Sequence, residues 1–236
     1  MYEKVYDKQP NTIQPFGLRV NTHLENSDIS LDDIAPIVVP ENPPWLNTKP
    51  TFNFELTQYK KTETNPLLIQ QHFAETKSVT SEYSTIYTDG SKDGDRVASA
   101  AVFGQQVYSA RLPSASSIFS AEANAIFLAL KFVASSEKSK FMICSDSLSC
   151  LLAISCKTQN PFILKIVEIY KSLVAIGKHV IFTWIPIHIS IHGNTVVDRE
   201  AKNALDDPVS HCSIPYTDIK PFIVKYILKR WQDSWD

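Results

Sequence analysis

The stretch Ile86-Tyr87-Thr88-Asp89-Gly90-Ser91-Lys92 decides how the chain is read. A strand-like run, YSTIYTD from Tyr83 to Asp89, leads straight into an Asp-Gly pair. Asp-Gly is a common turn signal, so one reading is a hairpin corner. The other is that Asp89 stands at the carboxyl end of a strand, where crevices open in α/β sheets, because chemistry there needs a carboxylate. Strand alternation places Tyr87 and Asp89 on one face and Ile86 and Thr88 on the other.

Working outward, the periodicity stays sharp. RVASAAVFG (96–104) and QQVYSARLP (105–113) read as two further strands with a tight turn near Gly104. Ser116 and Ser117 offer N-caps for a long helix, IFSAEANAIFLALKFVA. KFMICSD (140–146) is a fourth strand, and a short helix, SLSCLLAIS, follows it. Asn160-Pro161 opens the next helix, with Asn as cap and Pro in the first turn, and Gly177 ends it. HVIFTWIPI is a fifth strand, and Gly193-Asn194 begins a helix through VVDREAKNALDD. The order β-β-β-α-β-α-α-β-α predicts an α/β fold. Its mixed five-stranded sheet has three antiparallel strands, then parallel additions, with helices on its faces.

The two flanks differ in character. Pro10, Pro15, Pro36, Pro40, Pro43, Pro44, Pro50 and Pro66 all precede residue 70, and IAPIVVPENPPWLNTKP reads as extended, proline-stiffened chain. Residues 1–81 are therefore expected to be a proline-rich extension or linker, apolar enough to dock on a partner. The compact domain is expected over 82–208. The tail, 209–236, reads as an amphipathic helix with Phe222, Ile223, Tyr226, Ile227 and Trp231 roughly on one face.

The 236 residues are 44% hydrophobic and 20% charged, with a net charge of −2, which fits a globular protein and excludes a polycationic nucleic-acid binder. Cys144, Cys150, Cys156 and Cys212 form no CxxC pair and are expected to be reduced thiols, not a zinc site. MYEKVYDKQP has no apolar signal core, and charges interrupt the longest apolar runs. The expectation is an intracellular location, cytoplasmic or nuclear, without a membrane partner.

Four carboxylates occupy unusual positions. Asp89 and Asp146 end strands. Glu122 heads a helical stripe of Ala125, Ile126 and Ala129, and Asp198 lies one turn into the last helix of the domain, before Ala201 and Leu205. Each alone has an ordinary account: a turn residue, an N-cap, a first-turn charge, a surface charge paired with Lys202. Jointly they are harder to explain. Clustered carboxylates repel, and hard cations or shared protons are the usual remedy. Magnesium, which takes oxygen ligands and keeps several waters, suits such a set.

YTDGS with Asp89, SAEANAI with Glu122, CSDSLSCL with Asp146 and GNTVVDREAK with Asp198 resemble the four-carboxylate core of type 1 ribonuclease H. WIPIHISIHGN adds His188, ten positions before Asp198, matching the mobile histidine of those enzymes. IYTDGSK, SIFSAE, IPIHISIHGN, the preceding PPW and the trailing WQDSW further resemble the ribonuclease H segment of jockey-type non-LTR retrotransposon polyproteins. In those polyproteins a reverse transcriptase precedes the domain, and none is visible in this chain.

The resemblance implies hydrolysis of the RNA strand of RNA/DNA hybrids with two Mg2+ ions, or Mn2+ in their place. Asp89 would bridge the ions. Asp198 would complete the site on the attacking-water side, and Glu122 and Asp146 the site on the leaving-oxygen side. His188 would assist proton transfer or product release. Gly90, Ser91, Asn124 and Asn194 would contact substrate. The chain departs from the family pattern at Ile118 and Phe119, where many members carry Asn and Gln, and at Thr195, where many carry Glu. It also lacks room for a basic protrusion before Asn160. A DEDD exonuclease would open with Asp-x-Glu, and an integrase lacks the Glu122 helix. The remaining alternative is a catalytically silent retroelement fragment that binds nucleic acid or a partner.

Overall fold

The computed structural model of the chain describes residues 15–25, 34–35, 49–59, 63–156, 160–187 and 189–235. In chain order its strands are β1 (Thr51–Asn53), β2 (Ser84–Asp93), β3 (Arg96–Phe103), β4 (Gln106–Leu112), β5 (Lys140–Ser145) and β6 (His179–Trp184). The α-helices are α1 (Phe16–Glu25), α2 (Pro66–Val79), α3 (Ile118–Ser135), α4 (Leu148–Cys156), α5 (Pro161–Ala175), α6 (His192–Asn203) and α7 (Tyr216–Gln232). The strands form one mixed sheet in the order β1-β6-β5-β2-β3-β4. β2, β3 and β4 are antiparallel, whereas β2–β5, β5–β6 and β6–β1 pair in parallel.

Strand alternation sorts the core onto two faces. Phe141 and Ile143 of β5 join Ile86, Phe182 and the apolar sides of α3, α4 and α5. Met142 and Cys144 point the other way, toward Ile69 and Phe73 of α2, while Ala100 and Val102 of β3 meet Val197 and Ala201 of α6. The 18 residues of α3 are apolar enough to cross a membrane by length and composition, but Ala125, Ile126, Ala129 and Leu130 are fully buried in the core it shares with the sheet. All four cysteines are free thiols, and Cys144 and Cys150 are buried.

Among the described residues the sheet has six strands, where five were expected. The additional strand, β1, lies inside the stretch expected to be an extension. Phe52 pairs with Phe182, and their rings stack with centroids 5.5 Å apart. Without it, β6 would present an open row of backbone donors and acceptors. α2 belongs to the same stretch. Asn65 caps it by accepting from the Leu67 N–H, Pro66 opens it, and Ile69 and Phe73 are buried. Replacing Ile69 with Ala is therefore expected to cost about 3 kcal/mol and to lower the Tm by roughly 6–12 °C. A thermal melt unchanged by Ile69→Ala would mean that α2 is a detachable linker.

Candidate active site

Asp89 does not end its strand. β2 continues four residues further, paired only with β3, and turns at Gly94-Asp95 with Gly94 at φ 59°. What ends at Thr88 is the parallel half of the pairing: Thr88–Ser145 is the last β2–β5 pair. Asp89 and Asp146 each follow that pair immediately, side by side at the carboxyl end of the parallel strands. The sheet splits there, because β2 stays with β3 while β5 leads into α4.

Gly90 lets a helix come close. A Cβ on Gly90 would lie 2.7 Å from the Glu122 backbone nitrogen and 2.9 Å from the Ala121 Cβ. Only a residue without a side chain allows the first turn of α3 to rest on β2, and that approach carries Glu122 to Asp89. Ser117 caps α3, its hydroxyl accepting from the Ser120 N–H at 3.1 Å. Lys92, further along β2, donates to the Ser116 carbonyl at 2.8 Å. Carboxylate oxygens of Asp89, Glu122 and Asp146 lie within 4.8 Å of one another.

α6 approaches from the other side. Gly193 packs directly against the Tyr87 ring, where a Cβ would overlap it. The close fit sets Asn194 beside Asp146, and the Asn194 Nδ2 donates to Asp146 Oδ2 at 3.2 Å. Trp184 Nε1 donates to the Asp146 carbonyl at 3.1 Å. Asp198, one turn along α6, stands outside the three-carboxylate cluster and is paired with Lys202 at 2.7 Å. Both members of that pair are well exposed, so it constrains Asp198 only weakly.

The three central acids are electrostatically uncomfortable. Burial, reinforced by the Asp146 and Asp198 charges, pushes the Asp89 carboxyl up to about 8 from an ordinary 3.8, against the opposing pull of the Gly90 amide and Lys202. Burial and then the Asp89 and Asp146 charges raise Glu122 well above the carboxylate range. Its Oε2 is buried without a hydrogen-bond partner. A buried carboxylate oxygen with no donor, facing two more carboxylates, is a costly arrangement for the protein alone. It fits a hard divalent cation, which takes oxygen ligands and removes the repulsion.

The sign of the resulting pH dependence follows from the raised values. The folded, cation-free chain holds protons on Asp89 and Glu122 that the unfolded chain releases near pH 4. The stability associated with them is complete below that pH and is lost as pH rises through about 8 for Asp89. Denaturant unfolding in EDTA should therefore show falling stability between about pH 5 and pH 8, and added Mg2+ should flatten the trend. Rising stability over that window in EDTA would contradict the geometry.

The other expected site residues fall in varied places. Ser91 follows Gly90 on β2 and is half-buried. Asn124 is 5% exposed and donates to the Ser99 hydroxyl at 2.7 Å, so its amide is engaged inside the fold. Asn194 is buried against Asp146, and its Oδ1 has no partner. His188 lies outside the described residues. Sequence reasoning overlooked Trp184, whose contact with Asp146 depends on the Ser145–Trp184 register of β5 and β6. A strand-end Trp is no signal without that register.

Comparison with protein families matches residues 81–206 to RNase H. Comparison with curated proteins gives no match.

Proposed function

From a chain that belongs to the RNase H family, we propose a metal-dependent endonuclease of type 1 that hydrolyses the RNA strand of RNA/DNA hybrids. The observation that carries this reading is the carboxylate trio Asp89, Glu122 and Asp146, with the orphaned Glu122 Oε2 among them. These three residues would hold divalent magnesium, with Asp198 completing the set from α6. When bound, the ions stabilise charge building on the scissile phosphate and acidify an attacking water. The protein's part is positional. Gly90 admits α3 so that Glu122 meets Asp89, and Asn194 and Trp184 fix Asp146. His188 is assigned proton transfer or product release on its spacing from Asp198. Gly90 and Ser91 offer backbone to the substrate, which is told from DNA by its 2′-hydroxyls.

The motifs IYTDGSK, SIFSAE and IPIHISIHGN, with the flanking PPW and WQDSW, support an origin in a jockey-type retrotransposon polyprotein. A reverse transcriptase is then the natural companion of this domain, and a reading frame for one beside the coding sequence in the genome is the corresponding expectation.

The test is cleavage of a labelled RNA/DNA hybrid in Mg2+ and in Mn2+, beside single-stranded RNA and duplex DNA. Cutting of the hybrid's RNA strand alone, leaving 5′-phosphate and 3′-hydroxyl ends and stopped by EDTA, is expected. A folded sample that cuts nothing in either metal would instead favour the silent, binding-only fragment.

A further inference from the structure

The tail begins with a buried carboxylate in an unusual position. Asp218 is the third residue of α7 and is 7% exposed. An acid at that position ordinarily reaches back to the N–H of its own helix's N-cap residue. The N-cap of α7 is Pro215, which has no N–H. The Asp218 Oδ2 instead accepts from the backbone N–H of Ser117 at 2.8 Å. Ser117 is the N-cap of α3, the helix that carries Glu122.

α3 has half of a capping box. The Ser117 hydroxyl accepts from the Ser120 N–H, but Ser120 occupies the position where Glu or Gln would return the bond, and its own hydroxyl is buried without a partner. We infer that Asp218 completes this capping box in trans, making the tail helix a positioning element for Glu122. The contact does not stand alone. Ile219 is buried with Ala115 and Ile214 in a small apolar cluster under the same corner. The neighbouring Thr217 hydroxyl accepts from Asn160, the N-cap of α5, at 3.4 Å. With Lys92 on the Ser116 carbonyl, the chain entering α3 is held from β2 on one side and from α7 on the other. Glu122 is five positions beyond Ser117, little more than one helical turn, so slack at the cap reaches the carboxylate.

The inference rests on the nuclease reading for its consequence, cation binding, and on the fold for the contact itself. The experiment reads both in the full chain: Mn2+ affinity by titration, and amide hydrogen exchange over residues 117–122. Asp218→Ala should speed exchange across that turn and weaken Mn2+ binding about 10-fold, the usual scale for outer-layer partners of a metal site. Asp218→Asn keeps an acceptor oxygen and should restore both to within about 2-fold of the wild type. Ala leaving both readouts unchanged, or Asn failing as badly as Ala, would overturn the inference. If Asp218→Ala does not fold, exchange in the wild-type chain decides: a Ser117 amide as slow as the middle of α3 supports the contact, and one exchanging as an open amide refutes it. A wild-type chain that binds no Mn2+ would count against the nuclease reading, while the exchange rates would still judge the cap.

Discussion

Asp89→Asn is expected to abolish hybrid cleavage and, in the same molecule, to raise the Tm of the cation-free chain. The two effects have one cause. Asp89 is buried beside Asp146 and Glu122, and its carboxyl is pushed up to about 8. Ionising it without a cation is uphill, so a neutral amide of the same shape relieves the fold. Removing about 2 kcal/mol of repulsion would lift the Tm by roughly 4–8 °C at pH 8 in EDTA. Cleavage should fall by about 10³-fold or more, the equivalent of losing about 4 kcal/mol of transition-state stabilisation. A turn residue would behave otherwise. Asn serves in turns as well as Asp, so unchanged activity and unchanged Tm would return Asp89 to the hairpin reading. Stabilisation at the expense of activity is the signature of a site kept for function.

Gly90→Ala should be among the most damaging single-methyl changes in the domain. The added Cβ has no flexible side-chain tip to displace, since the nearest atoms are the Glu122 backbone nitrogen at 2.7 Å and the Ala121 Cβ at 2.9 Å. α3 must shift away from β2, and Glu122 must move with it. Overpacking of this kind costs about 3 kcal/mol, so the Tm should drop by roughly 6–12 °C. Activity should fall further than the loss of folded protein explains, because the displaced carboxylate leaves its cluster in the molecules that remain folded. Gly17→Ala, where nothing lies within 4 Å of the added Cβ, serves as the control. A Gly90→Ala chain with wild-type Tm and wild-type cleavage would show that the close approach of α3 to β2 is unnecessary.

How much of this was legible in sequence depends on the range of the interaction involved. Asp89, Glu122 and Asp146 sit on elements whose periodicity is clear, and strand alternation with helical spacing was enough to single them out. The chain holds two Asp-Gly pairs, and only the structure separates them: Asp93-Gly94 makes the hairpin turn, and Asp89-Gly90 stays in extended strand. β1 was illegible for a physical reason. Three residues are too few to show a period, and the strand exists because β6 offers an open edge 130 positions later, at Thr51–Ile181 onward to Asn53–Thr183. α2 did leave a signal. Asn65-Pro66 is the same cap-and-first-turn pair that correctly marked α5 at Asn160-Pro161, and the surrounding prolines obscured it. The Ser117–Asp218 contact joins residues 101 apart and has no local signature at all.

The proposed function stands or falls on whether Asp89, Glu122 and Asp146 together hold a divalent cation. Diffraction from crystals grown with Mn2+, with the metal located by its anomalous scattering, addresses it most directly. The expected result is a peak bonded to oxygens of Asp89 and at least one of Glu122 and Asp146, absent from crystals of Asp89→Asn. A well-ordered site in which the three carboxylates enclose no peak at saturating Mn2+ would contradict it.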